Sequence, residues 1–517
     1  MVYLSHPFWA IVSAIALFTL IRVAVLFVSP LELYPDEAQY WLWSRHLAFG
    51  YFSKPPLIAW LIRTTTAIGG QSEAWVRLSA PILHGATAIV LAFAGRRLSG
   101  ERVGAAAGVI YSLAPGVQLS SAVIATDAPL MLCLSLSLWG YSVWWTARDR
   151  REAWLGASGF GLALGAAFLA KYAALYFVGA ALLHAACSRE TRAKWRWREA
   201  LMVAGLFLVM AAPNLIWNAA HHFQTVAHTA DNASLGDDAR PSHWFDPRGG
   251  LGYVVGQFGV FGPIPFAVFL GGAVFLWRRK MLTAQDALLL AFAAPPLLIV
   301  LGEAVVARAN ANWAGAAYGP LAILVAAMLV RWRAWRTLGA VVVSQVVIAG
   351  IFLSVFAAPS IADRAGFANS FKRARGWAAA TAAINAAAKK AGAPLSAVAV
   401  DDRFLFNAVS YYGRDATNHP AGVLPAPLKM WVREARPHNQ AETIAPLTAA
   451  DGSRVLVANA TPNYRQEIVA DFTRIEGPTS SASIALDGKH SRDLVLFIAD
   501  GFQRRPRNPI TGRPIAP

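Results

Sequence analysis

The stretch Leu31–Trp60, LELYPDEAQYWLWSRHLAFGYFSKPPLIAW, follows the first long apolar run and is too polar to lie in lipid. It sets two adjacent carboxylates, Asp36 and Glu37, about twenty residues ahead of Lys54, with Tyr34, Tyr40, Trp41, Trp43 and Tyr51 beside or between them. A carboxylate pair, a lysine and an aromatic floor at a membrane edge are what chemistry on a lipid phosphate needs. A simple anchor needs none of them.

Working outward, composition bounds the class. Apolar residues make up 56% of the 517 and charged residues only 15%, too little polar surface for a soluble chain of this length. The run from about Phe8 to Val28 is long enough to cross a hydrocarbon core of roughly 30 Å. It is longer than a signal-peptide core and no small-residue cleavage site follows it, so it reads as the first span. Further apolar runs near 77–95, 103–118, 127–146, 154–170, 172–187, 200–217, 252–277, 285–302, 314–330 and 337–358 bring the expected total to about eleven transmembrane helices.

The formal charge of +17 is not spread along a face that nucleic acid could bind. It falls in the connections GRRLSGER (95–102), ARDRRE (147–152), SRETRAKWRWRE (188–199), WRRK (277–280) and RWRAWR (331–336), which alternate with neutral or acidic loops. With the first span entering from the cytoplasm, all five lie on the cytoplasmic side. Leu31–Trp75, Ser120–Asp127, the region of Lys171, 218–250, Glu303–Asn312 and everything after about Ala358 then face outward. Cys133 and Cys187 lie in apolar runs near opposite faces, so no disulfide is expected.

From Ser360 polar residues return. The runs 397–413, 454–459 and 494–500 read as strands and 372–392 as an alanine-rich helix, which together predict an α/β external domain over 359–517, with a poorly ordered Pro/Arg-rich tail after Gly501. The expected division is a membrane domain over 1–358, with its first outer loop at 30–76, followed by that external domain.

PDEAQYW followed by GYFSKPPL resembles the first external loop of GT-C glycosyltransferases of the family 39 type, which include protein mannosyltransferases and bacterial lipid A aminoarabinose transferases. ATDAPL (125–130), LAKYAAL (169–175), APNLIWNAAHH (212–222), GQFGVFGPIPF (256–266) and NANWAGAAY (310–318) continue the likeness in order. The resemblance implies a polytopic GT-C fold in the bacterial inner membrane. It also implies inverting transfer of a sugar from a polyprenyl-phosphate-linked donor to a lipid, glycan or protein acceptor at the periplasmic face.

On this reading Asp36 is the general base for the acceptor hydroxyl, and Glu37 orients the acceptor or helps hold a cation. Asp127 is either a third carboxylate of the site or only a helix cap. Lys54, directed by the two prolines after it, and Lys171, which interrupts an apolar stretch, are expected at the donor phosphate together with Arg308. Tyr34, Tyr40, Asn214, Trp217, Asn218, His221, Asn312 and Trp313 are expected to contact sugar or acceptor, with Arg240 and Arg248 as weaker candidates of the phosphate-binding kind. The bland alternatives are a snorkelling lysine, a capping aspartate and interfacial aromatics.

Position 53 is serine where the aminoarabinose branch has glutamate, so a metal site using that glutamate does not carry over. His221 and His222 with Asp231, Asp237 and Asp238 match no metal-ligand spacing; no cofactor is required, and a divalent cation finds no support in the sequence. No phosphate-binding glycine loop favours a nucleotide sugar. A transporter or flippase of lipid-linked sugars is the alternative from another class; it predicts paired half-repeats with broken helices, and no such internal symmetry is seen. A purely structural membrane component is the third, and it would leave the outer carboxylates and lysines dispensable.

Overall fold

The structure is a computed structural model that describes residues 7–232, 245–307, 309–414 and 423–508. The chain forms two compact units, one made of Met1–Ser29 with Ala48–Ala357 and the other of Pro30–Leu47 with Ala358–Pro517.

The first unit is helical. Among the described residues seven helices are long and apolar enough to span a membrane: Pro7–Val28, Glu73–Ser99, Arg150–Ala170, Trp197–Ala220, Ala284–Val306, Ala311–Arg331 and Trp335–Ala357. Two of the expected single spans are instead bent pairs, Glu101–Leu113 with Pro115–Ala122 at 58° and Pro247–Val260 with Pro263–Arg278 at 119°. Both breaks precede a proline, whose ring drives the residue before it out of the α region. Ala114 is accordingly extended at φ −57°, ψ 136°, and Gly262 takes φ +113°. Counting each pair once gives nine; Tyr172–Cys187, also among the expected eleven, is a shorter apolar helix, and Asp127–Trp145 is not among the seven.

Asp127–Trp145 and Arg150–Ala170 form an antiparallel hairpin of 19 and 21 residues. Gly140 and Gly156 let the two backbones touch, since a Cβ on Gly140 would meet the Phe160 nitrogen at 2.5 Å and one on Gly156 the Trp144 nitrogen at 2.3 Å. The turn of the hairpin is pinned by Arg97, which donates to Thr146 Oγ1 at 2.7 Å and pairs with Glu152 at 2.6 Å. Helices of nearly equal length return the chain to its starting level, so the first residue of one and the residue just past the other come together.

The second unit is built on a five-stranded sheet, β1 (Ala397–Val400), β2 (Leu428–Met430), β3 (Val455–Asn459), β4 (Phe472–Ala485) and β5 (Ser491–Phe502), in the order β2-β1-β3-β5-β4. The first three strands are parallel and the last two antiparallel. The run 397–413, expected as one strand, is a strand followed by a helix. Asp402 ends the extended stretch by accepting the Leu405 N–H at 2.9 Å, and Leu405, Phe406, Val409 and Tyr412 then bury one face of the helix Arg403–Tyr412. The alanine-rich segment is a helix over Trp377–Lys389.

The tail is tied down further than expected. Asp471, fully buried, accepts from Arg507 at 2.8 and 3.1 Å, from the Arg505 N–H at 2.9 Å and from Trp431 Nε1 at 2.9 Å. Residues beyond Asn508 lie outside the described ones.

The segment 30–47, expected as part of the membrane domain's first loop, is counted in the second unit because it packs there. The Glu32 N–H donates to the Ala374 carbonyl, and the Leu33 N–H to the Tyr412 hydroxyl. Glu32 caps the Trp377–Lys389 helix through the Trp377 N–H at 2.6 Å, and Trp41 meets Tyr411 edge to face at 5.0 Å.

Candidate functional site

In the first unit the hairpin brings Asp127 against Lys171, with Nζ to Oδ1 at 2.8 Å and each side chain about a quarter exposed (28% and 25%). Asp127 is the first residue of its helix, where a negative charge also suits the helix dipole. Lys171 sits just past the end of the next helix, in extended backbone at φ −164°, ψ 139°. The aspartate and the lysine that the sequence offered separately are therefore each other's partner. The ammonium keeps further N–H groups for another acceptor.

Lys171 lines a cavity of about 500 Å³ together with Lys54, Tyr172, Tyr176, Glu303 and Trp313. Lys54 is held by a braced turn. Its carbonyl accepts the Tyr51 N–H at 3.1 Å, the Tyr51 carbonyl accepts from Thr225 at 2.6 Å, and the Phe49 carbonyl accepts from Asn214 Nδ2 at 2.6 Å. Asn214 Oδ1 in turn accepts from the Tyr172 hydroxyl at 2.9 Å, and Asn218 Nδ2 donates to that hydroxyl at 3.0 Å. One chain of hydrogen bonds thus runs from the residue beside Lys171 to the loop that carries Lys54. Burial pushes the Tyr51 hydroxyl up to about 12, so it stays protonated and accepts the Ala48 N–H at 3.1 Å. Gly50 lies so close to the Trp217 ring that a Cβ there would come within 2.3 Å of it.

These contacts correct part of the expected site. Asn214 and Asn218 are 0% exposed and brace the turn, so neither reaches a sugar. Trp217 packs on Gly50 and stacks on His221 at 4.0 Å; neither ring lines the cavity. Asn312 is exposed and also outside the lining, whereas Trp313, one residue on, is in it. Arg308 and Arg240 lie outside the described residues, as do Asp237, Asp238 and the side chain of Asp231. Among the described residues no three His, Cys, Asp or Glu side chains are grouped to hold a metal.

In the second unit the two adjacent carboxylates separate in kind. Asp36 is exposed in the first turn of the helix Pro35–Arg45. Glu37 is 0% exposed and its Oε2 accepts the Tyr34 N–H at 2.8 Å, the reach-back half of a helix cap. It is spent on structure rather than presented to an acceptor. Tyr40 is buried against Trp43 at 5.3 Å, and the Tyr34 hydroxyl donates to the Ser370 carbonyl at 3.4 Å.

Tyr172, Tyr176 and Glu303 were not singled out from sequence. For Glu303 a signal existed: it is an acid that directly follows the uncharged stretch 287–302 of the Ala284–Val306 helix, and ionisable groups in such helices are kept for a reason.

Long apolar helices, two folded pairs and a separate sheet unit define a polytopic membrane protein of GT-C architecture. A profile described as dolichyl-phosphate-mannose-protein mannosyltransferase matches residues 53–217. The lipid A galacturonosyltransferase RgtD of Rhizobium johnstonii is 37% identical over 321 residues, which is 61% of this chain and 64% of that protein. The chain thus spans just under two thirds of that relative's length. Among solved structures, ArnT from Cupriavidus metallidurans bound to undecaprenyl phosphate superimposes with a TM-score of 0.64 at 16% identity, over 94% of this chain and 97% of that one. Its apo form gives 0.61 at 15% identity, over 95% and 97%. At such identities the likeness is one of fold.

Proposed function

We propose that the chain is an inverting glycosyltransferase of the bacterial inner membrane that moves a sugar from a polyprenyl-phosphate-linked donor to an acceptor at the periplasmic face. The observation that carries this reading is the cavity in the first unit, which Lys54 and Lys171 line together with Tyr172, Tyr176 and Trp313. Two ammonium groups suit a phosphate, and the aromatic side chains suit a sugar ring and the start of a lipid tail. A relative named as a lipid A galacturonosyltransferase and a fold match solved with undecaprenyl phosphate support the same substrate classes. A lipid A-type glycolipid is accordingly the acceptor to test first, with other glycans and protein behind it.

In the proposed reaction an acceptor hydroxyl oxygen attacks the anomeric carbon as the bond from that carbon to the phosphate oxygen breaks. The bonding pair leaves with the prenyl phosphate, whose negative charge is neutralised by Lys54 and Lys171. The acceptor's proton goes to the carboxylate of Asp36, which is exposed while its neighbour Glu37 is committed to the helix cap. Single displacement inverts the sugar configuration.

The test uses purified full-length protein in lipid, radiolabelled sugars on polyprenyl phosphate, and lipid A or membrane extract as acceptor. Wild type should move label to a new product, and Asp36→Asn, still binding donor, should lose at least about a hundredfold in turnover. Near-normal turnover by Asp36→Asn removes Asp36 from the mechanism. Label that crosses vesicle bilayers without product formation replaces the transferase with a transporter.

A further inference from the structure

Glu303 is an acid placed where the proposed function has no use for one. It stands four residues from the end of the Ala284–Val306 helix and lines the same cavity as Lys54 and Lys171. Its Oε1 is closed off from solvent and has no hydrogen-bond partner among the described residues. The cavity's other nearby carboxylate, Asp127, is already paired with Lys171. An acceptor oxygen left unsatisfied is costly, and a carboxylate can make its remaining hydrogen bonds only to groups that donate. Phosphate oxygens do not donate, and their charge repels it. Sugar hydroxyls donate, and so does a sugar ammonium group.

We infer that Glu303 is a specificity-determining residue that receives the hydrogen-bond-donating edge of the donor sugar and so sets the polarity with which the donor lies in the cavity. This rests on the reading of the cavity as the donor site. Lys54 and Lys171 take the anionic end, Glu303 takes hydroxyls or an amine, and Trp313 and Tyr176, which line the same cavity, offer flat faces to the ring. A sugar that carries an acid group must keep it away from Glu303. The substrate class is therefore a prenyl-phosphate sugar with a neutral or cationic edge on the side away from its phosphate.

The experiment compares wild type, Glu303→Gln and Glu303→Ala in lipid nanodiscs, reading the dissociation constants of three probes: bare undecaprenyl phosphate, its conjugate with a neutral hexose, and its conjugate with an amino-pentose. Glu303→Ala should weaken both sugar conjugates by about tenfold or more, the loss that accompanies a hydrogen bond to a charged group. Binding of bare undecaprenyl phosphate should be unchanged or tighter. Glu303→Gln, which still accepts from a hydroxyl but no longer attracts a cation, should retain the hexose conjugate better than the amino-pentose one if an ammonium is the native partner. Equal loss of both by Glu303→Gln identifies charge-assisted hydroxyl contacts. Parallel loss of all three probes, or no change in any, overturns the assignment. Failure of wild type to bind bare undecaprenyl phosphate at all overturns the donor-site reading beneath it, a result that Glu303 variants cannot mimic.

Discussion

Neutralising Asp127 should have opposite effects on stability and on phosphate binding. At 2.8 Å and an effective dielectric of about 20 the attraction to Lys171 is about 6 kcal/mol before desolvation is counted. Both side chains are about a quarter exposed, which places the pair between surface bridges worth under about 1 kcal/mol and buried ones whose disruption costs about 3–5 kcal/mol. Asp127→Asn and Lys171→Met should each lower stability by about 1–3 kcal/mol, and the double variant should cost about 1–2 kcal/mol less than their sum. The ligand readout separates them. Lys171→Met removes a cation from the cavity and weakens bare undecaprenyl phosphate, whereas Asp127→Asn releases the ammonium from its partner and tightens it. The assays are unfolding in nanodiscs and equilibrium binding on the same four proteins. Strictly additive stabilities, or an Asp127→Asn protein that binds the phosphate as weakly as Lys171→Met, would refute the reasoning.

Gly50→Ala should drive the turn and the Trp217 ring apart at a cost of about 1–3 kcal/mol and weaken donor binding through Lys54, and the added Trp217→Ala should restore part of both. Asp471→Asn should leave the nearly buried Arg507 without its counter-charge, costing the second unit about 3–5 kcal/mol and exposing the chain near Arg505 to limited proteolysis in the full-length protein. Hydrogen bonds from Thr448 and the ion pair with Lys429 hold Asp451 below the usual aspartate range. A depressed pKa contributes stability that is present above the unfolded value and is lost as pH falls through the folded one, so wild type should exceed Asp451→Asn at pH 7 and the gap should close in titrations below about pH 4. A gap that persists at the acid end would point to the side chain's shape rather than its charge.

Much of the first unit was legible because apolar length is a local property. The spans near 8–28, 154–170, 200–217, 285–302 and 337–358 each appear as a helix within a few residues. The bends at Ala114 and Gly262 were missed, although the prolines that cause them are plain in the sequence, because a hydropathy average runs straight across a proline. In the second unit β4 escaped notice. Its Gly477-Pro478 step looks like a chain break, yet the ladder with β5 absorbs it as an irregularity between Glu476 and Ser480.

The site was legible as residue types and not as roles. Asp36 and Glu37 are neighbours with the same chemistry, and only the reach of Glu37 back to the Tyr34 N–H shows which is spent. Asn214 and Asn218 resemble sugar contacts until their partners prove to be Phe49 and Tyr172. What an amide touches is decided by tertiary packing, across 165 residues of sequence for Asn214 and Phe49. Glu303 was missed for the opposite reason: the sequence set it at the start of the outer loop Glu303–Asn312, where a carboxylate is ordinarily just solvated, whereas it belongs to the last turn of the Ala284–Val306 helix.

The hydrogen bonds from Tyr172 through Asn214 to the Phe49 carbonyl also bear on how such a cavity could be retuned. They make the spacing of its two cations a property of a helix that contributes no wall to it. Changing the charge at Lys54 or Lys171 alters what is attracted, but changing Asn214 alters how far apart the attraction is applied. A search for altered donor preference should therefore begin one layer behind the wall, at Asn214, Asn218 and Thr225, where small shifts move an ammonium without removing it.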